Sequence, residues 1–287
     1  FDFHFEKKGL LMLCKTERML EEEIKVAELA GEVDLKAKVL DQAALRDLEP
    51  VVHDDVVGAT FYSCDSHTTP HEFMKNMKTH LLAAGVDIKV NEKVIDLEIK
   101  NGVIGKVMTN QGSYRADEYI LAAGSWTGLV AKKLGMKLLL QAGKGYRINV
   151  ESDTNISLPA ILVEAKAAVT PMNGFTRFAG TMEIAGINDR INPVRVKAIA
   201  KAARDYYQQV SITTEEMNNA SSGLRPLSPD GVPYIGRTKN CSNLTIATGH
   251  AMMGWTMATG TGKLVSEIIS DSTSSLKLVA FSPDRTF

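Results

Sequence analysis

Residues Ser221 to Ile269 read SSGLRPLSPDGVPYIGRTKNCSNLTIATGHAMMGWTMATGTGKLVSEII, an arginine-bearing loop, a short apolar strand, a glycine-spaced turn and a helix. Asn243 to Thr248 suits a buried strand, and Thr256 to Ile269 carries helical apolar spacing at Met257, Leu264, Val265, Ile268 and Ile269. Gly249 and Gly254 lie between them. Glycine lets backbone approach a ligand closely, and the free N–H groups at a helix start favour a negative group. The same junction also occurs in α/β proteins as plain packing, so the spacing alone leaves both readings open. Two phosphate motifs are excluded. Gly260, Gly262 and Lys263 fail the P-loop pattern at Leu264 and Met257, and fail the dinucleotide fingerprint at Val265.

Further motifs occur upstream: AAGSWT (Ala122 to Thr127), KGY (Lys144 to Tyr146) and GFTRFAGTMEIAG (Gly174 to Gly186). Taken in order with GLRPLSPDGVPYIGRT and NLTIATGHAMMGWTMATGTGKL, they resemble the FAD-dependent D-amino-acid oxidase superfamily, and within it the bacterial D-amino-acid dehydrogenase branch. The resemblance covers most of the chain. It implies that Arg225 anchors a substrate carboxylate, and that Gly249, His250, Gly254, Trp255 and Thr256 lie against the flavin. It also implies that backbone near Val94 passes the adenine and that Ala123, Gly124 and Trp126 approach the cofactor. On the same resemblance Tyr146 and Arg177 are candidates for supplementary substrate contacts, and Met252 and Met253 are expected to line the site with adaptable apolar surface where some glycine-oxidising relatives carry an arginine. Ala168 and Val169 stand where relatives often have a tyrosine.

The family opens on a strand, a G-x-G-x-x-G turn and a helix that grip the FAD pyrophosphate, and residues 1–49 contain no such pattern. The chain therefore reads as a truncated form of a longer enzyme, with weak hold on FAD expected. The implied reaction is oxidative deamination of D-amino acids to 2-oxo acids and ammonia, with electrons passed to a quinone or another acceptor. A glycine, sarcosine or proline-type amine oxidoreductase is the same-fold alternative, and a flavin-free binding module is the alternative of another class. No protein side chain is required as the catalytic group, because the flavin does the chemistry and positioning is most of the protein's work.

Residue by residue, simpler readings stay open. Arg225 beside Pro226 and Pro229 could tie a loop to backbone carbonyls, although a planar guanidinium pairs with a carboxylate better than any lysine. Arg177 could be a cross-strand surface residue and Tyr146 a core aromatic. AAG before a helix is often only a tight packing point, and Trp126 could be core.

With 287 residues and a net charge of −1, the sequence supplies no electrostatic case for nucleic acid or an anionic membrane surface. No apolar run approaches the roughly 20 residues needed to cross a bilayer. A cytoplasmic location is expected, with peripheral attachment to the inner membrane face compatible; oligomeric state is not legible. Cys14, Cys64 and Cys241 form no C-x-x-C pair. His67 and His71 have helical spacing, but Pro70 lies between them and no third ligand is in view, so no metal is expected. Thr69-Pro70-His71-Glu72 reads instead as a capping box opening a helix over 70–84.

Along the chain, segments alternate between two layers, giving a mixed α/β and α+β protein. A partial FAD-binding, Rossmann-like domain is expected over 71–137 and 221–287. A substrate domain with a mixed or antiparallel sheet is expected over 1–70 and 138–220. Strands are predicted at Lys7 to Lys15, Val56 to Tyr62, Tyr119 to Ala122 and through KGYRINV, AILVEAKAAV and FTRFAGTMEIAG. Helices are predicted at Glu17 to Ala30 and Arg195 to Tyr207, and Asn101-Gly102 marks a hairpin.

Overall fold

The computed structural model describes residues 1–287. In chain order the first elements are β1 (Leu10–Cys14), α1 (Glu17–Gly31), β2 (Ala37–Asp41), α2 (Gln42–Leu48), β3 (Gly58–Tyr62) and α3 (Pro70–Ala83). There follow β4 (Val94–Lys100), β5 (Val103–Thr109), β6 (Ser113–Tyr114), β7 (Tyr119–Leu121), α4 (Thr127–Lys133) and β8 (Gln141–Val150). Next come β9 (Ala160–Leu162), β10 (Ala167–Met172), β11 (Phe175–Ile184), α5 (Pro193–Tyr206), α6 (Thr214–Asn218) and β12 (Ser221–Leu227). The last are β13 (Tyr234–Thr238), β14 (Cys241–Thr248) and α7 (Gly254–Ile269).

Two compact units result. One comprises Phe1–Ile88, Gly145–Met182 and Arg190–Ser222; the other comprises Lys89–Lys144, Glu183–Asp189 and Gly223–Phe287. Eight strands form a mixed sheet in the order β12-β8-β11-β10-β9-β1-β3-β2, in which β1 runs parallel to β9 and antiparallel to β3. In the first unit, Tyr146, Ile148 and Val150 alternate into a core that includes Val196, Ile199, Ala202 and Tyr206 of α5. This period-2 strand meets a period-3.6 helix, the usual way an amphipathic helix covers a sheet face. Asn192 caps α5 by accepting from the Val194 N–H, and Pro193 fits the first turn, where its missing N–H costs nothing.

The second unit holds two three-stranded sheets, β13-β14-β7 and β4-β5-β6. Asn101 and Gly102 take positive φ of 52° and 71° at the turn from β4 to β5, as the primed hairpin turn requires. β14 runs parallel to β7, pairing Leu244 with Tyr119 and Ile246 with Leu121. The cores here are smaller, one around Leu134, Tyr234 and Ile246 and another joining Ile235, Leu264 and Val265.

Three local expectations change. SSGLRPL is strand β12 rather than a loop, and it stands at the sheet edge, where Pro226 removes no essential ladder bond. AILVEAKAAV breaks into β9 and β10 around a turn in which Lys166 has φ 51° and its N–H donates to the Val163 carbonyl at 3.3 Å. Thr69 precedes α3 but makes no side-chain cap. The Asn173 N–H donates to its Oγ1 at 3.0 Å, while Asn173 Nδ2 donates to Glu72 at 2.7 Å, so the hairpin turn between β10 and β11 takes both halves of the expected box.

Candidate active site

β7 and β14 end side by side in parallel register, so the segments that leave them, Ala122–Trp126 and Gly249–Gly254, emerge at one end of the sheet. The carboxyl ends of parallel strands are where open α/β sheets bind ligands. Thr248 Oγ1 donates to the Gly124 carbonyl at 3.2 Å and fastens the two segments together. Gly249 is required: its φ is +82°, and a Cβ there would stand 3.1 Å from Tyr234 Cδ2. Ala251 also takes a positive φ, 49°, without being glycine, which marks this turn as strained.

Strand β12 fixes the same turn from the other side. Leu227 bridges to His250, and the Ala251 N–H donates to the Pro226 carbonyl at 3.0 Å. Arg225 therefore sits on the strand that borders the Gly249–Ala251 turn. Its guanidinium is partly buried, and no hydrogen bond or ion pair holds it, while burial pushes its pKa down. Two other arginines of this unit behave differently. Arg237 pairs bidentately with Glu118 at 2.8 and 3.0 Å, and Arg285 reaches Asp230 at 3.0 and 3.1 Å while stacking 3.8 Å over the Tyr234 ring. A half-buried cation without a partner is costly, and a carboxylate ligand would relieve that cost.

The His250 imidazole is 2.8 Å from Thr261 Oγ1, and burial lowers its pKa, so a neutral ring pins the turn to α7. No side chain caps α7 at Met253. Its leading amides, from Gly254, Trp255 and Thr256, thus open a 16-residue helix whose positive end favours an electron-rich acceptor. Met252 and Met253 are both exposed in the turn.

Beside β7 lies an apolar hollow of about 640 Å³, lined by residues that include Val94, Ile120, Ala123, Trp126 and Leu129. Val94, Ala123 and Trp126, three of the positions expected near the cofactor, are brought together here. The hollow's largely apolar lining is compatible in character with an aromatic ring system. Ser125 Oγ and Thr127 Oγ1 are buried next to it in sequence with no hydrogen-bond partner, a polar provision that sequence reading missed. The residues present therefore fit the ring and acceptor portions of a dinucleotide cofactor, whereas no glycine fingerprint for a pyrophosphate occurs in the sequence.

In the other unit, Tyr146 is a core residue with 1 % of its surface exposed, so its ring offers little to a ligand. Arg177 lies on β11, where its Nε donates to Asn149 at 3.0 Å. Lys144, quoted in the KGY motif but given no role by sequence reading, is buried in the second unit and donates to Asn188 Oδ1.

A family pattern described as FAD dependent oxidoreductase (DAO) matches residues 1–268. The chain is 29 % identical over 286 residues to the D-amino acid dehydrogenase of Paramagnetospirillum magneticum, covering 97 % of this chain and 67 % of that protein. It is 29 % identical over 274 residues to the D-amino acid dehydrogenase of Helicobacter pylori, covering 94 % and 64 %. The chain thus spans about two thirds of the length of these relatives. The fold matches glycine oxidase from Geobacillus kaustophilus with a TM-score of 0.89 at 19 % identity, over 100 % of this chain and 77 % of that one.

Proposed function

The chain belongs to the DAO-type FAD-dependent oxidoreductases, and on that footing we propose that it serves the oxidation of D-amino acids to imino acids. Water then converts the imino acid to a 2-oxo acid and ammonia, and the two electrons pass to a quinone or another carrier. The observation that carries this reading is Arg225, a half-buried guanidinium with no protein partner beside the strained Gly249–Ala251 turn. Its planar fork matches a carboxylate bidentately and would fix the substrate by the group that every amino acid shares.

FAD, when bound, supplies the two-electron acceptor; the hollow by Val94, Ala123 and Trp126 and the uncapped start of α7 are the surfaces that would hold it. The amides of Gly254, Trp255 and Thr256 stabilise negative charge at that helix end, and the exposed Met252 and Met253 give the substrate side chain an adaptable apolar wall. Arg225 orients the substrate, and orientation is the main contribution asked of the protein. Without a glycine fingerprint in these 287 residues, the chain alone binds FAD weakly. No helix is long and apolar enough to cross a membrane; a cytoplasmic protein, with peripheral attachment at the inner face, accords with that.

Glycine, sarcosine or proline-type amine oxidation is the competing reading, favoured by the fold likeness to a glycine oxidase. A panel of D- and L-amino acids, glycine, sarcosine and proline, assayed with an artificial electron acceptor and excess FAD, separates the two. D-amino acids should turn over fastest. Turnover confined to glycine, N-methyl amino acids or L-enantiomers would overturn the substrate assignment.

A further inference from the structure

A second arginine site lies in the first unit and shares no residue with the surfaces named above for the cofactor. β8 and β11 are neighbours in the eight-stranded sheet, and Arg147 and Arg177 project from them into one hollow of about 600 Å³. Arg147 has no hydrogen bond or ion pair, and Arg177 has only the Asn149 amide oxygen at 3.0 Å and the Phe175 ring, 5.3 Å from its guanidinium carbon. Burial, and then the charge of Arg147, push the Arg177 guanidinium down to about 10, which still leaves it cationic at neutral pH. Like charges on adjacent strands repel, and nothing in the sheet requires the pair.

The remaining walls are suited to an anion with an organic body. Pro70 and His71 bring the uncapped start of the 14-residue α3 to the hollow, so a third positive element faces it. Phe175 and Met74 provide apolar surface, and His71 lies 5.8 Å from the Phe175 ring. Glu151 also lines the hollow, yet it makes no ion pair with either arginine. A structural arginine pair would be expected to find a carboxylate here; this pair has left its forks free.

We propose that Arg147 and Arg177 form a binding site for a small organic dicarboxylate, with its oxygens on the two guanidinium groups and its carbon skeleton against Phe175 and Met74. The site needs neither FAD nor Arg225. The same chemistry serves a free dicarboxylate or the side-chain carboxylate of an acidic amino acid, so the test uses both succinate and D-glutamate.

Calorimetric titration of the 287-residue chain with succinate, at constant ionic strength, should show binding that weakens at least about tenfold in both Arg147→Gln and Arg177→Gln. Arg147 is exposed, so its variant should keep the wild-type melting temperature and serves as the control for folding. Arg225→Ala should leave succinate binding unchanged, which separates this site from the one proposed for the substrate's α-carboxylate. D-glutamate binding that weakens in Arg147→Gln while D-alanine binding does not would assign the site to a substrate side chain. Succinate binding that weakens in both variants while binding of neither amino acid changes would assign it to a free dicarboxylate. Absence of succinate binding to the wild type, binding indifferent to both arginines, or inorganic phosphate binding as tightly as succinate would overturn the proposal.

Discussion

Ile148 in β8 and Ile120 in β7 are both strand isoleucines, yet the first is fully buried and the second is 52 % exposed. Ile148 lies in the core shared by the large sheet and α5. Ile120 lies on a strand that pairs with β14 on one side only, next to a hollow where Trp126 and Leu129 are also half exposed. In the first unit the apolar face of β8 is packed internally. The second carries a grouped apolar surface of the kind that marks binding sites. Side chains of the same type therefore hold the core in one unit and stand exposed beside a hollow in the other.

Truncation should cost very different amounts in the two places. Phe178 on β11 has no exposed surface and meets Tyr207 edge-on at 6.4 Å, so Phe178→Ala should remove about 3–5 kcal/mol and be read directly in chemical denaturation. Retention of most of the stability would mean that this core is not what holds the first unit.

A smaller loss is expected at Glu164, which joins three elements. It accepts from the Lys15 and Thr16 N–H groups at 3.0 and 3.1 Å, from Thr16 Oγ1 at 3.0 Å and from the Tyr206 hydroxyl at 2.6 Å. Glu164→Ala should cost about 1–3 kcal/mol. Burial opposes ionisation, but the hydrogen bonds outweigh it and hold the Glu164 carboxyl below its ordinary 4.5. Its contribution is thus present above pH 4.5 and fades as pH falls through the lowered value. The gap in melting temperature between wild type and Glu164→Ala should narrow in acid; a gap that widens would reverse the assignment.

Glu49 titrates in the opposite sense. It is buried, with Oε2 accepting from Ser157 N–H, Ser157 Oγ and Leu158 N–H at 2.9, 2.9 and 2.7 Å, while Oε1 has no partner. Burial raises its pKa, so its stabilisation is full below 4.5 and is lost as pH rises through the raised value. Glu49→Gln should therefore gain on wild type by up to about 1 kcal/mol at neutral pH, and by less in acid. Equal differences at both pH values would show that the carboxyl is not ionising in the fold.

The smallest stability effect is expected at Trp126. Because its ring is half exposed, Trp126→Ala should shift stability by no more than about 0.5 kcal/mol, yet weaken FAD binding. Fluorescence titration of the wild-type chain with FAD should itself show only weak quenching. Stoichiometric flavin in the purified chain would mean that the grip does not depend on a glycine fingerprint.

Much of this was legible from residue pattern. Asn101-Gly102, the alternation through KGYRINV and the apolar spacing of α7 each specify local geometry, and each appears in the structure. Contacts between residues distant in sequence were not legible. Thr69 reads as a helix cap until Asn173, 104 residues away, takes its hydroxyl. Arg225, Arg237 and Arg285 are alike in sequence, and only tertiary structure pairs two of them and leaves the third free. Thr248, which ties the two turns at the end of β14 and β7, gave no signal because its partner is a backbone carbonyl. Lys144 was similarly obscured, since a buried lysine in a strand looks no different from an exposed one.

The central claim is that the unpartnered Arg225 guanidinium anchors the substrate carboxylate, and kcat/KM for a D-amino acid in Arg225→Ala and Arg225→Lys, at FAD concentrations well above its Kd, tests it most directly. Loss of a charge-assisted bidentate contact should cost roughly 2–5 kcal/mol in the transition state, at least a 30-fold fall by the usual conversion of about 1.4 kcal/mol per tenfold, with Lys restoring only part. A lowered melting temperature with near-normal kcat/KM in the folded fraction would instead make Arg225 a structural residue of β12 and contradict the assignment.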